Sequence, residues 1–170
     1  YYMFTRDLGM IYASEQGVRK MSSKLRFVLQ DFAYVKIDLV QGKEFWRVTS
    51  ASKTNLLGDI TKNPQNLAVF DNIARLLRRL LAGVEPNPEL FADVLSGLEI
   101  LETLKTDADL RNAEAVLVLR ILNNLGYIGG GEQVQNLVSS PLDMPLLLEM
   151  QNSRSMILSL INKALRETHL

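Results

Sequence analysis

The sequence predicts an α+β protein in which a small β-sheet part precedes an all-helical part. Residues 1–53 contain short segments rich in aromatic and β-branched residues, with partial alternation of polarity, which is typical of strands. From residue 63 onward the apolar residues recur every three or four positions, which is typical of helices. We therefore predict two domains, a β part at 1–60 and a helical part at 64–170.

Four strands are predicted in the β part, over residues 1–5, 10–16, 33–41 and 45–53. In the third strand polar and apolar residues alternate, so one face is expected in a core and the other in solvent. Gly42 lies in the connection to the fourth strand, where we expect a positive φ. Because an isolated four-stranded sheet would expose its edges, this pattern favours a small barrel, complete or not.

Helix start and stop signals divide the helical part. Asn63 and Asn87 are each followed by Pro, the pairing of an N-cap with a first helical residue. Gly126 has the character of a residue just beyond a helix C-terminus, and Pro141 and Pro145 are expected to punctuate a turn. The predicted helices cover approximately residues 64–83, 88–104, 109–125, 132–138 and 153–168.

Composition excludes several classes of function. Because the chain has no Cys and one His, His169, it lacks the residues for a disulfide framework, a thiolate metal site or cysteine catalysis. We expect no enzyme activity and no cofactor.

Apolar runs are far shorter than the roughly 20 residues that cross a bilayer, and the lack of Cys suits a cytoplasmic chain. The first residue is Tyr rather than Met, so we expect that residues upstream are missing.

Charge is distributed unevenly along the chain. Its 19 Lys/Arg and 19 Asp/Glu balance, but residues 1–53 hold nine basic and five acidic residues, and residues 54–170 hold ten and fourteen. Four cations lie in the link between the second and third strands, at Arg19, Lys20, Lys24 and Arg26. They could meet a phosphate backbone by displacing counterions, or could simply solvate a loop.

Two further clusters have the residue types of a nucleic-acid contact. Trp46 and Arg47 begin the fourth strand beside Phe45, and neighbouring residues of a strand point to opposite faces. At most one of the two rings can therefore point outward; the rings either stack on bases, for which we favour Trp46 over Phe45, or belong to the core of the barrel. In the first helix Arg75, Arg78 and Arg79 share a face, which is either a second contact with DNA or protein or a solvated surface.

Short motifs in this sequence resemble the RecO family of bacterial DNA-repair mediators. They are F-T-R-D-L-G at 4–9, G-V-R-K-M-S-S-K-L at 17–25, L-Q-D-F at 29–32, P-N-P-E-L-F at 86–91, L-G-Y at 125–127 and R-E-T-H-L at 166–170. Each is short, but they follow the family's order across nearly the whole chain. The resemblance implies an N-terminal OB-fold, possessing a DNA-binding groove, followed by an α-helical domain.

The resemblance also implies a function and partners. RecO proteins bind single- and double-stranded DNA, anneal complementary strands, and act with RecR and the C-terminal tail of single-strand-DNA-binding protein. A nucleoid-associated location follows. The alternative that we keep open is an interaction scaffold with a vestigial barrel and no direct DNA binding.

This chain departs from the family pattern in three places. The family's opening strand would precede Tyr1, so the barrel is expected to lack a strand. Asp31 stands where the family usually has Pro, which places an acid beside the basic link. Many members carry a four-cysteine zinc module after L-G-Y, whereas residues 128–140 contain no Cys. No metal is therefore expected.

Overall fold

The computed structural model describes residues 1–15, 24–43, 45–81, 83, 85–129 and 131–168, with Lys24 described by its backbone alone. A four-stranded sheet precedes five α-helices, so the predicted α+β class and its order are confirmed. The strands are β1 (Tyr2–Thr5), β2 (Gly9–Ser14), β3 (Val35–Gln41) and β4 (Trp46–Lys53). The helices are α1 (Pro64–Leu80), α2 (Pro88–Leu101), α3 (Asp107–Asn124), α4 (Glu132–Ser139) and α5 (Met144–Glu167).

The sheet has the strand order β1-β2-β4-β3. Two antiparallel hairpins, β1–β2 and β3–β4, are joined by a short parallel contact in which Ala13 faces Trp46 and Ser14 faces Arg47. Within the described residues β1 and β3 do not pair, so the strands form an open sheet rather than a closed barrel. Closure requires pairing between the outer strands, and here they lie at opposite edges.

The inner face of the sheet encloses a small core. Its buried members are Ile11, Ala13, Leu29 and Val48. Gly42, between β3 and β4, does not take the positive φ that we expected. Glycine fits there for another reason: a Cβ would lie 2.6 Å from the carbonyl oxygen of Phe45, which leaves no room for a side chain.

The helical part holds the main core. All of the largest fully buried side chains lie between Ile60 and Ile157. Helix α3 is central, because it contacts α1, α2, α4 and α5. None of the helices in the described part of the chain combines the length and apolar character needed to span a bilayer.

Helix α5 begins nine residues earlier than the sequence pattern predicted. Asp143 caps it, accepting a hydrogen bond from the Leu146 backbone N–H at 3.1 Å. Pro145 lies in the first turn of the helix, where its missing N–H costs no hydrogen bond, rather than in a turn. Helix α3 likewise begins at Asp107, because Thr106 accepts from the Asp109 backbone N–H at 3.1 Å.

Aromatic rings join the sheet to the helices. Phe91 of α2 lies between Phe4 and Tyr34, with ring centroids 5.3 and 6.3 Å away. Phe32 packs on Phe70 of α1 at 5.2 Å. Phe32 has φ 59°, a conformation that a bulky residue rarely adopts without support, and this ring contact supplies support.

Candidate nucleic-acid interface

The predicted basic link is only partly described. Arg19 and Lys20 lie outside the described residues. Lys24 and Arg26 belong to a 3₁₀ helix, Lys24–Phe27. The side chain of Arg26 is exposed, and its backbone carbonyl accepts a hydrogen bond from Gln30 Nε2 at 2.9 Å. A DNA contact by these four residues stays a prediction.

The two rings at the start of β4 point opposite to our expectation. Trp46 is half-buried and packs against the small core, because its partner across the sheet is Ala13, which is fully buried. Phe45 is 40% exposed. Arg47 is also exposed and faces Ser14 and Val40 across the sheet. The outward ring is therefore Phe45, next to the cation that the sequence predicted.

Three exposed rings form a row across the outer face of the sheet. Tyr2 lies 5.3 Å from Tyr12, and Tyr12 lies 6.5 Å from Phe45, measured between ring centroids. We call Tyr2, Tyr12 and Phe45 the aromatic row. Tyr2 and Tyr12 face each other in the β1–β2 hairpin, and both are more than half exposed, at 56% and 54%.

The other end of the same face is covered by helices. Phe4, two residues along β1 from Tyr2, packs on Phe91, and Met10 and Tyr34 also contact the main core. Side chains two residues apart in a strand share a face. The outer face is thus divided into an end packed on the helical part and an end that presents the aromatic row to solvent.

Cationic side chains lie at both ends of the aromatic row. The guanidinium carbon of Arg78 lies 3.9 Å from the ring centroid of Tyr2, a cation–π contact. At the other end Lys43 and Arg47 line an open cavity of about 690 Å³ together with Phe45, Gln41 and Gly42. This arrangement can offer positive charge and the exposed parts of three mutually tilted rings to one ligand.

The three arginines of α1 separate into two groups. Arg78 reaches the sheet, whereas Arg75 and Arg79 line a groove of about 290 Å³ whose other lining residues come from α1, α3 and α5. Arg75 forms an ion pair with Asp71 at 2.8 Å. The hydrogen bond that Arg75 donates to the Asp71 carboxylate, together with the negative charge of that carboxylate, raises the pKa of Arg75 above its ordinary value.

Arg120 is a buried cation of the helical part, and the partly buried Asp93 of α2 acts on it electrostatically. Arg120 of α3 donates to the carbonyl of Leu137 at 3.1 Å and to that of Ser140. Burial lowers its pKa, against an opposing effect of Asp93. Burial raises the pKa of Asp93, against an opposing effect of Arg120. Since Arg120 donates both hydrogen bonds to carbonyls at the end of α4, we interpret Arg120 and Asp93 as structural residues.

Tyr2 and Tyr12 are the site residues that the sequence analysis missed. The signal that could have found them is the alternation in β2, where Tyr12 lies between the apolar Ile11 and Ala13. Tyr12 must face away from the core that receives its neighbours.

No group of three metal-ligating side chains occurs within the ranges that the structure describes.

Comparison with known proteins identifies relatives. Residues 62–128 match the family model described as Recombination protein O C terminal. Three curated relatives, each named DNA repair protein RecO, come from Desulfitobacterium hafniense, Dehalococcoides mccartyi and Heliobacterium modesticaldum. The resemblance to the RecO family is confirmed.

The alignments cover most of this chain and a smaller share of each relative. Identity to the Desulfitobacterium protein is 29% over 125 residues, 74% of this chain and 44% of the relative. The Dehalococcoides protein is 32% identical over 108 residues, 64% of this chain and 42% of the relative. The Heliobacterium protein is 27% identical over 125 residues, again 74% and 44%. The matched part therefore spans less than half of these relatives.

Proposed function

We propose that this chain, as a member of the RecO family, acts in DNA repair and recombination by holding single-stranded DNA on its β part. The observation that carries the proposal is the exposed end of the outer sheet face. There Lys43 and Arg47 lie beside the ring of Phe45 around an open cavity. Cationic side chains in such a groove are what a phosphate backbone needs for binding that does not depend on sequence.

The remaining parts of the proposal follow from the resemblance. The chain would act as a non-catalytic mediator that also binds duplex DNA, anneals complementary strands and works with RecR. Arg19, Lys20, Lys24 and Arg26 would extend the cationic surface from the link before β3. A chain that binds DNA in this way would associate with the nucleoid.

Salt dependence of DNA binding tests the proposal. The double variant Lys43→Ala/Arg47→Ala should bind a single-stranded oligonucleotide more weakly. Because each lost phosphate contact lowers the slope of log K against log salt by about 0.7 for single strands, the slope should fall by roughly 1.4. Fluorescence anisotropy at four salt concentrations measures both quantities.

The control removes the same charge from the helical part. Lys105 and Arg111 are exposed, so Lys105→Ala/Arg111→Ala changes net charge equally and should leave the slope unchanged. A second test variant replaces Arg19, Lys20, Lys24 and Arg26 by Ala. Unchanged affinity and slope in both test variants would contradict DNA binding by the β part.

A second candidate function belongs to the groove on the helical part. Its floor includes Leu76, Val118 and Leu165, and Arg75 and Arg79 line it as well. An apolar floor beside two cations matches the chemistry of a peptide that ends in apolar side chains and a carboxylate. We propose that it receives the tail of single-strand-DNA-binding protein, the partner that the resemblance implies.

A peptide titration separates this role from DNA binding. Arg79→Ala should weaken binding of a fluorescent tail peptide, and an amidated peptide without the terminal carboxylate should bind wild-type protein more weakly. Arg166→Ala, an exposed cation of α5, is the control. If the peptide binds at the groove while the β-part variants leave DNA affinity unchanged, the scaffold alternative is favoured.

A further inference from the structure

We propose that the aromatic row stacks on successive unpaired bases, so that the β part recognises the bases of a single strand as well as its phosphates. The inference rests on the proposed function and adds to it a second mode of contact. It assigns the stacking to Tyr2, Tyr12 and Phe45. Tyr2 and Tyr12 are not predicted from the sequence, which favours Trp46 over Phe45.

The exposure of these rings is the first argument. A cluster of exposed aromatic rings on one surface is uncommon in a soluble protein and marks a contact site. The fold offers the row no internal cover within the described residues: Phe4, on the same face, is packed on Phe91, while Tyr2 and Tyr12 are more than half exposed. Exposure is thus confined to one end of the face.

The spacing of the rings is the second argument. Tyr2 lies in β1, Tyr12 in β2 and Phe45 directly before β4, and these strands are neighbours in the sheet order β1-β2-β4-β3, so the row runs across the strands. The centroid separations are 5.3 and 6.5 Å and the ring planes are inclined by 53° and 80°, so each ring can contact a different base of an extended strand, at a different orientation. Every base has a π-face, so stacking of this kind tolerates any sequence.

The cations decide what kind of ligand the row accepts. Arg78 at Tyr2, and Lys43 and Arg47 at Phe45, place positive charge at both ends of an aromatic surface. A phosphate backbone with bases attached complements both features, whereas an apolar protein surface would leave these cations without partners. A single strand is therefore the occupant that fits best.

The inference predicts discrimination between single and double strands. In a duplex the bases stack on each other and pair, so their faces are not free for protein rings. A protein that binds phosphates alone would also bind an abasic oligonucleotide, which keeps the charges and lacks the bases. A protein that stacks bases should bind the abasic oligonucleotide more weakly than oligo-dT of equal length.

The experiment compares Tyr12→Ala with Tyr12→Phe in the full chain. The probes are oligo-dT, an abasic oligonucleotide and a duplex, all of one length and at one salt concentration. Tyr12→Ala should lose about 5- to 150-fold affinity for oligo-dT, the range for one lost stacking contact. Its affinity for the abasic probe and its salt slope should be unchanged. Tyr12→Phe keeps the ring and should keep most of the affinity.

Tyr127→Ala is the control: it removes an exposed ring, 39% accessible against 54% for Tyr12, from the helical part, and it should leave the affinity for every probe unchanged. If Tyr12→Ala loses the same affinity for oligo-dT as for the abasic probe, the inference is wrong. It is also wrong if the wild-type protein binds both probes equally, although DNA binding by the β part would then remain supported. Wild-type protein that binds no DNA overturns both. A dimer that Tyr12→Ala dissociates also overturns it, because a second copy then covers the row.

Discussion

The two parts of this molecule differ in how much of their apolar surface they bury. The helical part surrounds α3 with four other helices, and among the described residues it holds all of the largest fully buried side chains except Ile60, which lies just before α1. The sheet has a core of four buried residues, two edges, and three exposed rings on its outer face. Since stability scales roughly with apolar area removed from water, the helical part supplies most of the stability.

The helical part therefore stabilises the fold, and the β part carries the surface for which we propose DNA binding. A sheet with a small core can leave rings and cations exposed only because it is attached to a larger body. Phe91, between Phe4 and Tyr34, is one point of attachment, and Phe70, packed on Phe32, is another. The β part then exposes the face for which we propose DNA binding, and the helical part supports that face and has a groove of its own.

Matched core truncations give the largest expected effect. Leu122→Ala in α3 and Leu29→Ala in the small core remove the same atoms from buried sites. Such changes cost about 2–5 kcal/mol, depending on how well the site can collapse. We expect Leu122→Ala near the upper end and Leu29→Ala near the lower end, measured by urea denaturation. Equal costs would contradict the difference between the parts.

Arg120 tests the interior of the helical part. Arg120→Met keeps much of the volume but leaves the Leu137 and Ser140 carbonyls without their donor. An unpaired buried acceptor costs about 1–3 kcal/mol, so the unfolding free energy should fall by at least that amount. Arg111→Met, on the exposed side of α3, should stay within about 0.5 kcal/mol. Similar losses of unfolding free energy in Arg120→Met and Arg111→Met would contradict a structural role for Arg120.

Phe91 tests the attachment between the parts. Phe91→Leu keeps an apolar side chain but loses two ring contacts, each worth about 0.5–1.5 kcal/mol beyond the area buried. We expect hydrogen exchange of β1 and β2 to accelerate while α3 and α5 change little. Phe70→Leu, which loses the single contact with Phe32, should have a smaller effect. Uniform acceleration through the chain would show that the two parts unfold together.

Asp93 provides the smallest effect, in the pH dependence of stability. Because burial raises its pKa in the folded state, the native protein keeps this proton to a higher pH than the unfolded chain. The unfolding free energy therefore falls as the pH rises from the unfolded value of 3.8 through the folded pKa. Asp93→Asn should lack this decline, a difference well under about 1 kcal/mol because the group is partly solvated.

Urea midpoints at pH 4 and pH 7 measure the Asp93 effect. Glu85→Gln, at an exposed position, should follow the wild-type protein at both values. The prediction is wrong when the wild-type protein and Asp93→Asn show the same change in midpoint between the two pH values.

Features fixed by neighbouring residues were predictable from the sequence. Asn63 and Asn87 cap their helices as expected, accepting from the backbone N–H groups of Gln65 and Leu90 at 2.9 Å. Gly126 has φ +79° after α3, as the pattern indicated. The prediction for Pro145 was wrong because Pro occurs both in the first turn of helices and just beyond their ends. Only the cap that Asp143 forms identifies Pro145 as part of a helix start.

Features fixed by contacts between distant residues were not predictable. The direction of Trp46 depends on its register with Ala13, thirty-three positions away in sequence, and a shift of one residue exchanges the two faces of a strand. The aromatic row likewise requires the positions of three chain segments. Arg78 is separated from Arg75 and Arg79 because of where the sheet packs on α1. The periodicity of the helix carries no information about that position.

Hydrogen exchange with and without a saturating single-stranded oligonucleotide tests the central claim most directly. The account predicts slower exchange of amides in residues 1–14 and 41–48, around the aromatic row and the Lys43–Arg47 cavity, and little change in α5. The Lys43→Ala/Arg47→Ala variant should lose this protection at the same DNA concentration. Protection confined to the helical part, or DNA binding with no protection of these strands, would contradict the account.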